Sequence, residues 1–350
     1  MHKKIINKYT NRQKSTKTLT GKYVGVIVDL QENIFGKLFL SEVVMRILNF
    51  GSLNIDYVYG VDHFVKKGET LSSNSLNVYS GGKGLNQSIA ICRAGVKVYH
   101  AGAIGQDGFF LLDILNESGV DTELIKILPD TRTGNAIIQN DIQGDNCILL
   151  YSGANRAITR AMVDNIIDKF DAGDWLILQN EISEIPYIVE KAHDKKMKII
   201  INPSPMDEKI SDINLGYVDC LILNEVEAQG FVGEKKNDDE IVAGMREKFP
   251  DMEIVLTLGE KGSIYIGQNE TIQQPAYKVQ AIDTTAAGDT FTGYFLAARV
   301  NGMMVDKALD VASKASAIAV SRKGAAPSIP DKEEIAMFEK TMHDGISGSC

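Results

Sequence analysis

The sequence predicts an α/β fold: a doubly wound, mostly parallel sheet flanked by helices, with a small antiparallel β sheet beside it. Three observations carry this. Short apolar runs at residues 175–179, 198–202, 220–223 and 254–258 alternate with amphipathic stretches of helical length. That is the rhythm of strand–helix–strand units, whose strands are buried on both faces and read as continuous hydrophobic runs. Residues 55–80 and 134–152 break the rhythm and alternate with a period of two, the second around the polar turn Asp141-Ile142-Gln143-Gly144-Asp145. Finally, 350 residues, 44% hydrophobic and 24% charged, supply ample material for a large core.

In chain order, a first strand is expected at residues 47–50, and Asn54 and Asp56 follow close behind it. Short polar side chains past the carboxyl edge of a parallel strand suit hydroxyl recognition. Next, Gly81-Gly82-Lys83-Gly84-Leu85-Asn86-Gln87 precedes a helix ending near Gly95, with Leu85, Ile89, Ala90, Ile91 and Ala94 as its apolar residues. This turn is neither of the common nucleotide loops. Lys83 is followed by Gly84, not by Ser or Thr, and no G-x-G-x-x-G follows a strand.

Residues 283–291 read DTTAAGDTF, and Phe291, Tyr294, Phe295 and Ala298 recur at helical spacing. The segment Ala286-Ala287-Gly288-Asp289 therefore opens a helix. Unpaired N–H groups and partial positive charge at such a terminus, approached over small residues, make a pocket for an anion. Asp289 beside it has two readings. It caps the helix, or it accepts a hydroxyl proton while the amides stabilise a transferring phosphoryl group.

Together these segments resemble the ribokinase/PfkB sugar kinase family, over roughly residues 47–338. Further matching motifs are GSLNIDYVYGVD from Gly51, YSGANRAIT from Tyr151, LILNEVEA from Leu221, LTLGEKG from Leu256 and AIAVSRKGAAPSIP from Ala317. One departure is Val65-Lys66-Lys67-Gly68-Glu69-Thr70, where the family commonly has a proline before Gly-Glu-Thr. The resemblance implies a ribokinase-like kinase domain over residues 47–340 and a C-terminal tail over 341–350. Segments 55–80 and 134–152 would form a β lid that covers the sugar and serves as a homodimer interface. A lid keeps the phosphoryl donor from water.

Carried over position by position, the resemblance implies a role for each matched residue. Asp289 would be the base, with Ala286, Ala287 and Gly288 giving anion-hole N–H groups. Asn54, Asp56, Gly82, Lys83, Asn86 and Glu181 would bind the sugar. Asn224, Thr257, Leu258, Gly259, Glu260, Lys261, Gly262 and Ser313 would contact ATP, with Gly288 and Asp289. Glu227 completes an N-x-x-E motif tied to Mg2+ through water, and Asp283, Thr285, Ala319, Arg322, Gly324 and Ser328 match a site for K+. The implied activity is ATP-dependent phosphorylation of the 5-hydroxyl of D-ribose. Alternatives are a kinase for deoxyribose, fructose or a nucleoside such as adenosine, and a non-catalytic sugar sensor. Tyr57, Tyr59, Phe64 and Tyr79 in the lid leave a base-stacking nucleoside site open. An intact Asp289 speaks against the sensor.

Composition narrows the rest. A net charge of −9 argues against non-specific nucleic-acid binding. The cysteines Cys92, Cys147, Cys220 and Cys350 form no C-x-x-C pair, which fits a reducing cytoplasm rather than a disulfide framework or zinc site. No apolar run reaches the ~18 residues of a membrane helix. Residues 1–46 are expected to be an N-terminal extension. Positions 1–22 carry Lys3, Lys4, Lys8, Arg12, Lys14, Lys17 and Lys22 and no acid, the pattern of a solvated tail without a secretory core. The stretch from Thr20 to Val44 faintly resembles the hinge and first strand of LacI-type repressors.

Overall fold

Strands β1 (Ile47–Phe50), β8 (Trp175–Gln179), β9 (Lys198–Asn202), β10 (Cys220–Asn224) and β11 (Glu253–Thr257) are short and fully or almost fully buried. They lie side by side and parallel, as continuous apolar runs do when both faces are covered. With β4 (Val98–Ile104), β5 (Asp121–Ile127), β12 (Ser263–Ile266) and β13 (Thr271–Gln274) they build a nine-stranded sheet, ordered β13-β12-β11-β10-β9-β8-β1-β4-β5. Only β12 and β13, at one edge, run antiparallel to their neighbours. The computed structural model describes residues 45–235 and 237–347. The greater part of the expected N-terminal extension, including the LacI-like stretch, lies outside the described residues.

Alternate side chains of each strand feed two cores. Ile47, Ile177, Ile200, Ile222 and Val255 face α1 (Lys83–Arg93), α2 (Phe109–Glu117), α7 (Ala287–Val300), α8 (Val305–Val320) and α9 (Lys332–Ser347). Leu48, Leu176, Ile199, Leu221 and Ile254 face α3 (Arg160–Ile167), α4 (Ile185–Asp194), α5 (Glu225–Val232) and α6 (Asp238–Lys248). This is the expected doubly wound arrangement. The chain runs outward from β1 to β4 on one side and from β8 on the other. The crevice at the carboxyl ends of β1 and β8 is therefore the topological switch point where such sheets bind ligands.

The small sheet has the order β3-β2-β6-β7, formed by β2 (Asn54–Gly60), β3 (Ser75–Gly81), β6 (Gly134–Asn140) and β7 (Asn146–Tyr151). Two antiparallel pairs, β2–β3 and β6–β7, are joined along a parallel β2–β6 pair that alternation within one segment could not show. The polar turn closes where expected, with the Asp141 N–H donating to the Asp145 carbonyl at 3.1 Å.

Both expected ends of the kinase domain shift. At its start, Arg46 Nε donates to Asp174 Oδ2 at 3.0 Å and its backbone N–H to Oδ1 at 3.0 Å, so Arg46 belongs to the fold. At its end, α9 continues to Ser347, across the boundary expected at residue 340.

Candidate active site

Two helices bring the site together. Helix α1 begins at Lys83, immediately after the glycine turn, and lies tight against the β1–β2 connection. A methyl group added to Gly84 would stand 2.4 Å from the Ser52 N atom. Helix α7 begins at Ala287 and crosses α1 so closely that a methyl group on Gly293 would meet Ala90 Cβ at 2.4 Å. Real carbon atoms do not approach to that distance, so only glycine permits this crossing. Its effect is to seat the first turn of α1 against the first turn of α7.

There the buried Asp289 carboxylate is held at both oxygens. Asn86 Nδ2 donates to Oδ2 at 3.0 Å, and Gln87 Nε2 donates to Oδ1 at 2.9 Å. The other end of the Asn86 amide, Oδ1, is buried without a partner among the described residues. An orphaned buried acceptor is costly, and a ligand hydroxyl would satisfy it. Just before Asp289, Ala286 adopts φ 60, ψ 8, a left-handed conformation unusual for a residue with a Cβ, and such strain clusters at functional sites. The Ala287 N–H donates to the Thr284 carbonyl at 3.2 Å. Of the three expected anion-hole donors, Ala287 is therefore engaged within its own turn.

Around the residues expected to bind the sugar, β2, α1 and the loop after β8 converge. Lys83 N–H donates to Glu181 Oε2 at 3.1 Å, and Ser52 Oγ donates to the same oxygen. Asn54 Oδ1 accepts from Asn155 Nδ2 at 2.7 Å. The carboxyl group of Asp56 packs against the Gly81 backbone, where a methyl group would stand 2.1 Å from Oδ2. Burial, reinforced by the negative charge of Glu181, lifts the Asp56 pKa to about 6. Burial likewise raises Glu181, while Lys83 opposes it. For Lys83, burial works against the charge, but Asp289, Glu181 and Glu227 outweigh it and hold the ammonium above its ordinary range. One cation thus lies among three carboxylates.

Beneath Asp289 runs a buried amide network that sequence reasoning missed. It joins Gln87 to Gln179 at the end of β8, Asn202 at the end of β9 and Asn49 in β1. The available signal was one amide side chain in each of three otherwise apolar strands.

On the nucleotide side, a cavity of about 620 Å³ is lined by Thr257, Gly259, Glu260, Gly262, Gly288 and Ser313, all expected. Tyr277, Val279 and Phe291 add an apolar wall that sequence reasoning did not assign to the site. Leu258 and Lys261 do not join them. They line a separate cavity of about 320 Å³, and Lys261 Nζ is paired with Asp238 at 2.7 Å. The cause is the 3-10 turn Gly259–Lys261, whose three residues per turn put Leu258 and Lys261 on one side and Gly259 and Glu260 on the other. Asn224 caps α5 in a capping box with Glu227, whose Oε2 accepts from the Asn224 N–H at 3.1 Å. Both lie outside the residues lining the larger cavity.

The two expected cation segments also meet. Asp283 Oδ1 accepts from the Thr285 N–H and Oδ2 from the Gly324 N–H, each at 2.9 Å. Burial opposes ionisation there, but these bonds hold the Asp283 pKa below its ordinary value. Ser328 Oγ donates to the Ala325 carbonyl at 2.8 Å, and the Ala319 carbonyl accepts from the Arg322 N–H at 3.1 Å. The Arg322 side chain turns away to pair with Glu334.

An acid held between a cluster of buried polar side chains and a helix N-terminus, beside a cavity of nucleotide size, suits a phosphotransferase with an alcohol as acceptor. A profile of the pfkB family carbohydrate kinases matches residues 45–332, and the chain belongs to that family. It is 35% identical to the ribokinase of Haemophilus influenzae, over 82% of this chain and 96% of the relative. It is 28% identical to the deoxyribokinase of Salmonella typhimurium, over 83% and 97%. Among solved structures, the Arabidopsis thaliana ribokinase complexed with ribose and ATP superposes with a TM-score of 0.75 at 27% identity, covering 84% of this chain and 98% of that one. The protein is a kinase of the PfkB carbohydrate kinase family.

Proposed function

We propose that this kinase is a ribokinase, transferring the γ-phosphoryl group of ATP to the 5-hydroxyl of D-ribose to give ribose 5-phosphate and ADP. The observation that carries this reading is the bond from Asn86 to Asp289, which ties the hydroxyl-binding set to the anion pocket of α7. The 5-hydroxyl would donate its proton to Asp289 as its oxygen attacks the phosphorus, while the α7 N-terminus stabilises charge on the transferring group. Lys83 adds a fixed positive charge between the two halves. The relatives support ribose, and the ribokinase solved with ribose and ATP supports the pairing of substrates.

Of the three tyrosines in β2 and β3, one is placed to meet a nucleoside base. Residues paired across β2 and β3 share a face, so Tyr79, opposite Asp56, is on the site-facing side, whereas alternation turns Tyr57 and Tyr59 away. Tyr57 packs on the main core instead.

Mg2+ brought in with ATP would neutralise phosphate charge. The buried Glu227 fits an outer-shell contact through water, because the capping box engages Oε2 and leaves Oε1. K+ would suit the loop carbonyls of Ala319, Thr285 and Gly324 with Asp283 and Ser328, since a large, weakly hydrated ion accepts irregular carbonyl coordination and Mg2+ demands near-octahedral geometry. A homodimer through the lid would cover Leu76, Val78, Ile148, Leu149 and Leu150, each at least half exposed. A cytoplasmic setting is in keeping with free Cys92, Cys147 and Cys220. No helix among the described residues is long and apolar enough to cross a membrane.

The test is ADP release with ribose, deoxyribose, fructose and adenosine, run on wild type and Asp289→Asn. Ribose should give the highest kcat/KM, and Asp289→Asn should lower kcat by about two to four orders of magnitude. A better turnover of another acceptor would reassign the substrate. More than a tenth of wild-type turnover in the variant would remove the base.

A further inference from the structure

Asp289 carries two hydrogen bonds of different character. Asn86, which donates to Oδ2, belongs to the expected sugar-binding set and has an orphaned acceptor of its own. Gln87, which donates to Oδ1, is fully buried and faces only protein.

The protein also fixes which end of the Gln87 amide meets the carboxylate. Gln87 Oε1 accepts from Gln179 Nε2 at 2.7 Å, and Gln87 Nε2 donates to Asn202 Oδ1 at 3.3 Å as well as to Asp289. Both neighbours are set in turn. Gln179 Nε2 also donates to Asn49 Oδ1 at 3.1 Å, and Asn202 Nδ2 donates to the Ile222 carbonyl at 2.7 Å. Asn49 Nδ2 donates to the Gly84 carbonyl and to Ser88 Oγ, both at 2.8 Å, which leaves the Ser88 hydroxyl to donate to His100 Nδ1. Burial pushes His100 down to about 4, so its ring is neutral and able to accept. Rotating the Gln87 amide would set oxygen against the Asp289 carboxylate and nitrogen against the Gln179 nitrogen. Gln179 Oε1 and His100 Nε2 stay without a partner among the described residues, but the donors and acceptors that reach Gln87 allow its amide one orientation.

We propose that Gln87 is a positioning residue, anchoring Asp289 through Oδ1 and leaving Oδ2, on the Asn86 side, to take the acceptor's proton. The inference rests on Asp289 being the base. The acceptor O–H bond breaks with its proton passing to Oδ2. Its oxygen bonds to the γ-phosphorus, and the bond from phosphorus to ADP breaks. Gln87 contributes neither proton nor electron pair; it fixes the oxygen that does.

The experiment compares Gln87→Met, Gln87→Glu and Asp289→Asn with wild type in the full chain. Gln87→Met keeps length and loses the donor. Its kcat should fall by about tenfold or more, the scale of a misplaced reacting group, with KM for ribose and ATP within about twofold. Gln87→Glu keeps the acceptor for Gln179 and, only while protonated, one donor for Asp289, and it gives up the longer bond to Asn202. The charged group it touches is Asp289 on α7, on which Lys83 at the start of α1 and Glu181 after β8 act in turn; two adjacent carboxyls hold a proton to raised pH. The kcat of Gln87→Glu relative to wild type should therefore be highest near about pH 6 and fall steadily towards about pH 8.5. A change that was merely structural would give a ratio independent of pH.

Wild-type kcat in Gln87→Met, or a flat ratio in Gln87→Glu, overturns the proposal. Should Gln87→Met fail to fold by circular dichroism, the Gln87→Glu ratio decides. An inactive Asp289→Asn beside fully active Gln87 variants sinks the positioning role alone. Full activity in Asp289→Asn removes the base and the anchor with it.

Discussion

Replacing Asp56 with Asn removes a carboxylate whose ionisation the fold opposes. Burial and the charge of Glu181 lift its pKa from 3.8 to about 6. That separation, at ~1.4 kcal/mol per pH unit, makes the charged form about 3 kcal/mol less favourable in the folded protein than in the unfolded chain. The folded state holds the proton more tightly across the interval between the two pKa values. The group's favourable contribution is therefore complete below about pH 4 and is lost as pH rises through about 6. The amide in the Asp56→Asn variant would carry no such proton. The unfolding free energy of Asp56→Asn minus that of wild type should thus grow by about 2 kcal/mol from about pH 4.5 to about pH 7.5. Urea titrations followed by the fluorescence of Trp175, the chain's single and largely buried tryptophan, would measure it. A constant offset between the two proteins reports only how well the amide packs. An offset that does not change with pH would refute the argument, because the site would then store no electrostatic cost to spend on ligand.

Two further changes probe the same centre. Asn86→Ala should weaken ribose binding by about 1–2 kcal/mol in calorimetry, since it deletes the orphaned acceptor, and unchanged affinity would place the sugar elsewhere. Potassium should raise turnover several-fold over sodium at constant ionic strength with Mg2+ saturating, and Asp283→Ala should abolish that response. Equal rates in the two salts would exclude a cation at the Asp283–Gly324 junction.

Much of this was legible in the sequence because local physics determined it. The run from Phe291 to Ala298 has only one helical reading, and the start of α7 at Ala287 follows from it. Glycines around Lys83 and small residues before Asp289 announce close approach, and those two turns do meet. What stayed hidden depends on partners distant in sequence. The β2–β6 pairing is parallel because both strands leave one edge of the fold, which neither segment encodes by itself. Leu258 and Lys261 belong to a motif, yet a one-turn helix divides that motif between two cavities. Arg46 reads as the last residue of a tail until its partner Asp174, 128 positions away, is seen.

The contact between Gly293 and Ala90 has a consequence for how the protein can change. With α1 and α7 pressed together at backbone distance, the acid and the amides that orient it behave as one solid piece. They cannot be retuned separately for a wider or narrower acceptor. Freedom to alter the substrate is left to the small sheet, which carries Asp56 in β2. Selection for a new sugar, in nature or in a laboratory library, should collect in β2, β3, β6 and β7 and leave Gly293 and Ala90 untouched.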